Sequence, residues 1–166
     1  MKKKYYFAIL CFLFFFFFSG CSLSSTGNNL HGFTQRMNEY PEKYNLTESG
    51  YIFDTKNNTL TRFFNFTENE IMLQFECGEN NEFNCLHIVF DNNCKNNTQE
   101  MQFIKNCLEA YTESTETTKE LLEIIDFENA IKNASYETKK AKSGDTELLL
   151  DTTTIGTVIT ITRNTQ

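Results

Sequence analysis

The feature that most constrains this chain is an alternation of apolar and polar residues that runs from Gly50 to Phe90. A period of two places successive side chains on opposite faces of an extended strand, so each run predicts a strand with one buried face. Polar turn residues separate four runs, and short connections favour antiparallel pairing, which predicts a four-stranded meander. The apolar positions are Tyr51 and Phe53; Leu60, Phe64 and Phe66, with Arg62 interrupting them; Ile71, Leu73, Phe75 and Cys77; and Leu86, Ile88 and Phe90.

The period then changes to that of a helix. Apolar residues recur every three or four positions after Asn97 or Thr98, either of which suits an N-cap, at Met101, Ile104, Leu108 and Tyr111. A second helix is predicted from Thr117, because residues 117–120 fit a capping box. Its apolar stripe comprises Leu121, Ile124, Phe127, Ile131 and Ala134. We expect a basic C-terminal end, favoured by the helix dipole, at Lys139, Lys140 and Lys142, with Gly144 as the stop.

The C-terminal segment predicts a closing hairpin. Residues 148–150 are apolar, residues 158–161 are apolar except at Thr160, and the two segments flank a turn at Ile155 and Gly156. Residues 33–40 suit a short helix or an irregular segment before Pro41. The chain therefore predicts an α+β fold, an antiparallel β-meander followed by two helices and a C-terminal β-hairpin, over residues 35–166.

The N-terminus carries the features of an export signal in order. Lys2, Lys3 and Lys4 precede an apolar run over residues 5–18, which is short for a membrane span and fits a signal peptide. Phe18-Ser19-Gly20-Cys21 follows. This motif resembles the lipobox of bacterial lipoproteins, in which small residues precede a lipidated cysteine. The resemblance implies that residues 1–20 are cleaved off and that Cys21 is lipidated.

The same resemblance implies an extracytoplasmic domain held to a bacterial membrane by acyl chains. Two or three chains attach a protein stably, whereas one binds reversibly. Residues 21–34 are then the lipidated cysteine and a flexible tether, because the segment is rich in Ser, Thr, Gly and Asn. Ser22 stands where an Asp often marks inner-membrane retention in this family, so the outer membrane is favoured in a host with two membranes.

Four further cysteines lie in the predicted domain, and an even number in an exported domain suggests two disulfides. A strand between Cys85 and Cys94 would separate them by about 25–30 Å, whereas a disulfide needs Cα atoms within about 7 Å. We therefore expect Cys77–Cys85 across a hairpin and Cys94–Cys107; in a reducing envelope the thiols would stay free.

The competing interpretation of these cysteines is a metal site, but the chain has no Cys-x-x-Cys pair, and His87 is expected to face solvent. No metal is predicted.

The net charge of the chain indicates which classes of partner are disfavoured. Of the 15 basic residues, Lys2, Lys3 and Lys4 lie in the leader, which leaves 12 against 22 acidic residues, a net charge of about −10. This balance disfavours nucleic acid and anionic lipid headgroups. One acidic run spans the predicted helices and is either a docking surface for a cationic partner or a solvated helix face. Its residues are Glu109, Glu113, Glu116, Glu120 and Glu123.

No catalytic motif is present in the sequence: it has no glycine-rich phosphate loop, no G-x-S-x-G and no HExxH. No cofactor is predicted. The sequence predicts a non-catalytic envelope lipoprotein whose domain binds a protein partner. One alternative is an immunity or inhibitor lipoprotein that neutralises a basic hydrolase through its acidic face. A second, weaker alternative is a hydrolase of envelope polymers, which requires two converging carboxylates in a cleft.

Overall fold

A computed structural model describes residues 29–44, 46–56, 59–66, 71–77, 82–91, 94, 97–133 and 136–163. Within these ranges the elements in chain order are α1 (Leu30–Glu39), β1 (Thr47–Asp54), β2 (Thr59–Phe66), β3 (Ile71–Cys77), β4 (Phe83–Asp91), α2 (Thr98–Thr112), α3 (Thr115–Ile124), α4 (Phe127–Lys132), β5 (Glu137–Ser143), β6 (Thr146–Thr152) and β7 (Gly156–Arg163). All the strands pair antiparallel in one sheet of order β1-β2-β3-β4-β7-β6-β5. The predicted α+β class is confirmed.

The predicted meander forms because the apolar runs of β2, β3 and β4 meet on one face, whereas Tyr51 and Phe53 of β1, predicted on a buried face, are exposed. In β3, Leu73 and Phe75 are fully buried, and Gln74 between them is partly exposed. Phe75 pairs with Arg62 in β2 and with Leu86 in β4, which aligns the faces of the three strands. Side chains from this face and from the helices form one hydrophobic core. The opposite face, which we call the outer face, carries the intervening side chains.

The prediction for the segment after the helices is wrong. Lys139, Lys140 and Lys142 lie in β5 and not at the end of a helix. Ala141 is the buried residue of this strand, because its neighbours point to the other face. Gly144, expected to stop a helix, lies in the turn between β5 and β6 with φ +60°, a left-handed conformation that favours glycine. The hairpin predicted from residues 148–150 and 158–161 forms as β6 and β7.

The helical region begins as predicted but then divides. Asn97 caps α2, accepting hydrogen bonds from the N–H groups of the second and third residues after it. The next N-cap is Ser114, not Thr117, because the Ser114 hydroxyl accepts from the Thr117 N–H at 3.1 Å. The predicted single helix ends at Ile124, which is exposed and not buried as predicted, and α4 follows after Asp126 at φ 50°. Ala134, placed on the same stripe, lies outside the described residues.

The first helix extends into the segment predicted to be a tether. Asn29 caps α1, accepting from the Gly32 N–H at 2.8 Å, and forms an antiparallel bridge with Glu82. Phe33 and Met37 are fully buried in the core. The boundary predicted between residues 34 and 35 therefore falls inside a packed helix. The predicted signal peptide and Cys21 lie outside the described residues.

Candidate functional site

The two cysteines predicted to link β3 and β4 lie on opposite faces of the sheet. Cys77 belongs to the core. Cys85 pairs with Glu76 in the same register as the rest of the β3–β4 ladder, and a register shift after this pair leaves Cys77 opposite Phe83. Side chains of neighbouring residues alternate between faces, so a Cys77–Cys85 bond would have to cross the sheet. The structure does not form that predicted disulfide, and both residues are free thiols in it.

The second predicted disulfide is also not formed, since Cys94 and Cys107 are free, buried thiols. The Cys94 side chain hydrogen-bonds with Glu100 in the first turn of α2. Cys107 lies seven residues after Glu100, about 10 Å further along the helix. Burial and then the Glu100 contact raise the pKa of Cys94 to about 12. Burial raises the pKa of Cys107 well above its usual value, so both thiols stay protonated.

Three potential metal ligands converge on the outer face. Cys85 and His87 are two residues apart in β4 and so share a face, and Glu76 stands opposite Cys85 in β3. The Nε2 atom of His87 lies 3.3 Å from Cys85 Sγ and 3.3 Å from Glu76 Oε1. The ligand atoms all lie within 4.8 Å of one another. We call these residues the Glu-Cys-His cluster; in the described part of the chain no other group of this kind is so close.

A third strand orients the His87 ring. Thr160 in β7 pairs with His87, and its Oγ1 lies 2.9 Å from His87 Nδ1. When the Nδ1–H group donates to this hydroxyl, Nε2 keeps its lone pair towards Cys85 and Glu76. The side chains of His87 and Glu76 are 22% and 48% exposed, so the cluster is open to solvent. Burial, followed by the charge of Glu76, raises the pKa of Cys85 to about 12, and its resting state is therefore the thiol.

The sequence predicts that His87 points away from the core, and in the structure His87 does lie on the outer face. The sequence analysis does not predict that Cys85 and Glu76 lie beside it. The available signal is the Cys85-x-His87 spacing, because two residues separated by one in a strand point the same way. The position of Glu76 depends on the register in which β3 pairs with β4, which no local pattern in the sequence reveals.

The predicted acidic face is divided among separate environments. Glu109 and Glu123 line one groove between the helices. Glu113 pairs with an arginine of α1 at 3.1 Å. Glu120 accepts a hydrogen bond from a serine hydroxyl of β5 at 2.5 Å, and Glu116 is exposed. The structure therefore brings Glu109 and Glu123 together in one groove, and Glu109 also lines a second groove with Glu113.

The first of these grooves, formed by α2, α3 and the start of α4, has a volume of about 710 Å³. Its described charged lining comprises Glu109, Glu123, Asp126 and Glu128 with Lys105 and Lys119. Lys105 lies 3.0 Å from Glu128, and its hydrogen bond and charge lower the pKa of that carboxyl. Lys119 lies 3.8 Å from Glu123. The lysines thus offset part of the acidity, and the groove is only moderately acidic.

The two edges of the sheet differ in chemistry. The β5 edge carries Lys139, Lys140 and Lys142, and lysines on an edge strand oppose pairing with another chain. The β1 edge instead presents Tyr51, Ile52 and Phe53, which are 71%, 61% and 53% exposed. Because these residues are consecutive, they display apolar side chains on both faces of the strand. We call residues 51–53 the apolar edge.

No protein-family model matches this chain, and neither a curated protein nor a solved structure matches it. Among the residues that the structure describes, no helix has both the length and the apolar character needed to cross a membrane.

Proposed function

We propose that this protein is a lipid-anchored, non-catalytic binding protein of the bacterial cell envelope, and that a protein partner adds an extended segment to its apolar edge. The observation that carries the binding proposal is the set of three consecutive exposed apolar residues on an edge strand that has no lysine. The anchoring proposal rests on the motif around Cys21 and on the cationic and apolar segments that precede it.

Lipid on Cys21 would hold the domain close to the membrane. Eight positions separate Cys21 from Asn29, where the described structure begins. An extended chain spans at most about 3.6 Å per residue, so Asn29 would lie within about 30 Å of the lipidated residue. The Asn29–Glu82 bridge lies at the end of the sheet where β3 ends. The apolar edge is near the same end, since Leu60 pairs with both Phe53 and Cys77, and it would therefore meet partners that are themselves close to the membrane.

An edge strand offers backbone N–H and C=O groups to which an extended segment can pair. In β1, Ile52 stands opposite Thr61, while Tyr51 stands opposite Arg62, so the two side chains point to different faces. A partner strand would therefore gain backbone hydrogen bonds along the edge and apolar contacts on both sides of it. The β5 edge carries lysines and does not combine free backbone groups with exposed apolar side chains, so a partner strand is expected to pair with β1.

The test compares two variants that each replace one exposed isoleucine by lysine. Ile52→Lys puts a charge in the apolar edge, whereas Ile155→Lys changes another exposed isoleucine, in the turn before β7. Site-specific photo-crosslinking from position 51 in cells, followed by mass spectrometry, identifies the partner and the crosslinked peptide. We expect Ile52→Lys to abolish the crosslink and Ile155→Lys to retain it.

The proposal fails if the crosslinked partner is captured equally by both variants, because the apolar edge would then contribute nothing specific. It also fails if position 51 gives no crosslink while a probe on the helices does. Far-ultraviolet circular dichroism of the two variants verifies that the fold is intact, which is expected since both positions are exposed.

The immunity or inhibitor alternative is supported by Glu109 and Glu123, which line the same groove. A basic hydrolase bound there would be held largely by charge, so its affinity should fall steeply as salt is raised. The double variant Glu109→Gln/Glu123→Gln should weaken that contact and leave pairing at the apolar edge unchanged. A partner whose capture is insensitive to salt and to this double variant would exclude the alternative.

A further inference from the structure

We propose that Glu76, Cys85 and His87 bind one transition-metal ion, and that Zn²⁺ is the ion this ligand set suits best. The cluster lies on the outer face of β3 and β4, away from the helices and from the apolar edge.

The distances within the cluster are close to those of a metal centre. In a tetrahedral site with Zn–S near 2.3 Å and Zn–N or Zn–O near 2.0–2.1 Å, neighbouring ligand atoms lie about 3.4–3.6 Å apart. His87 Nε2 is 3.3 Å from both Cys85 Sγ and Glu76 Oε1. With all three ligand atoms inside 4.8 Å, small side-chain rotations bring them to bonding distance of one ion.

The mixture of donor atoms selects the class of ion. A thiolate and an imidazole favour Zn²⁺ and related ions, whereas Mg²⁺ and Ca²⁺ prefer sets made of oxygen atoms. On binding, the Cys85 S–H bond breaks, the sulfur lone pair forms the bond to the metal, and the proton leaves to solvent. The thiolate and the Glu76 carboxylate then balance the two positive charges of the ion. The fourth position is left for water or for an atom of a ligand, as in zinc sites with three protein ligands.

The strands hold the ligands in place before an ion arrives. β3 pairs on both sides, with β2 and β4, and β4 pairs on both sides, with β3 and β7. Thr160 fixes the His87 ring from β7 at 2.9 Å, which is the role that an outer hydrogen-bond partner plays for a metal-bound histidine. Three adjacent strands therefore contribute to one preorganised site.

The competing interpretation is a hydrogen-bonded trio that stabilises the outer face without any ion. The experiment that separates the two uses the full chain in detergent with its thiols reduced. Titration with Co²⁺ should give a thiolate-to-metal charge-transfer absorption and the ligand-field bands of a four-coordinate ion, with one ion per chain. Zn²⁺ should displace the Co²⁺ and abolish these bands.

Three variants test which residues bind the ion and whether Thr160 supports them. Cys85→Ser should remove the charge-transfer absorption. Because Cys85 is buried and its variant could lose stability, the exposed ligand is also tested: Glu76→Gln should weaken Zn²⁺ affinity by about tenfold or more. Thr160→Val should weaken it by about 10–100-fold without changing the number of ligands. The matched control is His31→Gln, which changes the exposed histidine in α1 and should leave the affinity unchanged.

The proposal is overturned if the wild-type chain gives no charge-transfer absorption with Co²⁺. It is also overturned if the absorption persists in Cys85→Ser, or if Glu76→Gln and His31→Gln bind Zn²⁺ with equal affinity. A change confined to the thermal stability of the metal-free Glu76→Gln and Thr160→Val variants would support the hydrogen-bonded trio instead.

Discussion

Replacing Phe33 by alanine tests where the folded domain begins. The predicted boundary leaves this residue in the tether, at the start of a segment that suits a short helix or an irregular conformation, whereas the structure buries it completely in the core. Its ring centroid lies 4.9 Å from that of Phe75 in β3 and 6.1 Å from that of Phe83 in β4, both in edge-to-face arrangements. Removing the ring therefore removes a main contact of α1 with the sheet.

The expected loss follows from the area that the ring buries. A buried phenylalanine removes about 150–250 Å² from water, and at about 25 cal/mol per Å² this stabilises the fold by about 4–6 kcal/mol. The denatured chain already buries part of this area, so we expect Phe33→Ala to lower the free energy of unfolding by about 4 kcal/mol. At a urea dependence of about 2 kcal/mol per molar, the midpoint of unfolding falls by about 2 M.

Urea unfolding followed by circular dichroism and tyrosine fluorescence measures this loss, since the chain contains no tryptophan. Gln35→Ala is the matched control, because it lies on the exposed side of the same helix and should change the free energy of unfolding by less than about 0.5 kcal/mol. A loss below about 1 kcal/mol for Phe33→Ala would refute the reasoning, since α1 would then lie outside the cooperative core and the tether would extend to residue 34.

Two further predictions concern the anchor and the buried thiols. Cys21→Ala should leave the precursor uncleaved or release the protein from the membrane, as judged by fractionation and by metabolic labelling with a fatty-acid analogue; a processed, membrane-bound Cys21→Ala protein would contradict lipid anchoring. The pKa of Cys94 is raised from 9.0 to about 12, and that of Cys107 is raised in the same direction. As pH rises, the unfolded chain therefore loses these protons before the folded chain does. The stabilisation from these thiols is fully present below pH 9.0, and above it the free energy of unfolding should fall by up to about 1.4 kcal/mol per pH unit for each thiol. Tyr40, whose pKa burial raises to about 12, adds to the trend above pH 10. Urea unfolding at pH 8 and pH 10 measures the difference, and equal stabilities would contradict burial of these groups as thiols.

The strands that are predicted correctly from sequence are those in which the alternation of apolar and polar side chains shows which face is buried. β3 alternates strictly, with Leu73 and Phe75 on the core side, and no other part of the chain is needed to interpret it. β5 buries only Ala141 among lysines, and a short basic segment after a helical stripe also suits a helix end. Its strand conformation comes from pairing with β6, which is a tertiary interaction that local pattern does not contain.

The division of the second predicted helix has a comparable cause. An apolar stripe with a spacing of three and four continues from Leu121 to Ile131 whether or not the helix is interrupted. The interruption at Asp126 turns the chain, which buries Ile125 and leaves Ile124 exposed. Aspartate tolerates the left-handed conformation better than most residues, but its presence in a helical run does not by itself require that conformation.

The site was the least predictable part, because its assembly depends on the register in which β3 pairs with β4. The predicted disulfide requires a register in which Cys77 stands opposite Cys85. The observed register instead pairs Cys85 with Glu76, and strand alternation places Cys85 on the outer face beside His87. A register that differs from the expected one by a single residue thus separates the two cysteines and brings three potential metal ligands together on the outer face.

The same topology keeps the two proposed sites apart and makes each a control for the other. In the sheet order, β1 is two strands from β3 and three from β4, or about 10–14 Å at about 4.8 Å per strand. Substitutions this far apart with no shared partner act almost independently. Ile52→Lys should therefore retain the Co²⁺ charge-transfer absorption, and Glu76→Gln should retain the crosslink from position 51. Loss of both properties in either variant would mean that the ion and the partner share one surface, with the partner supplying the fourth ligand.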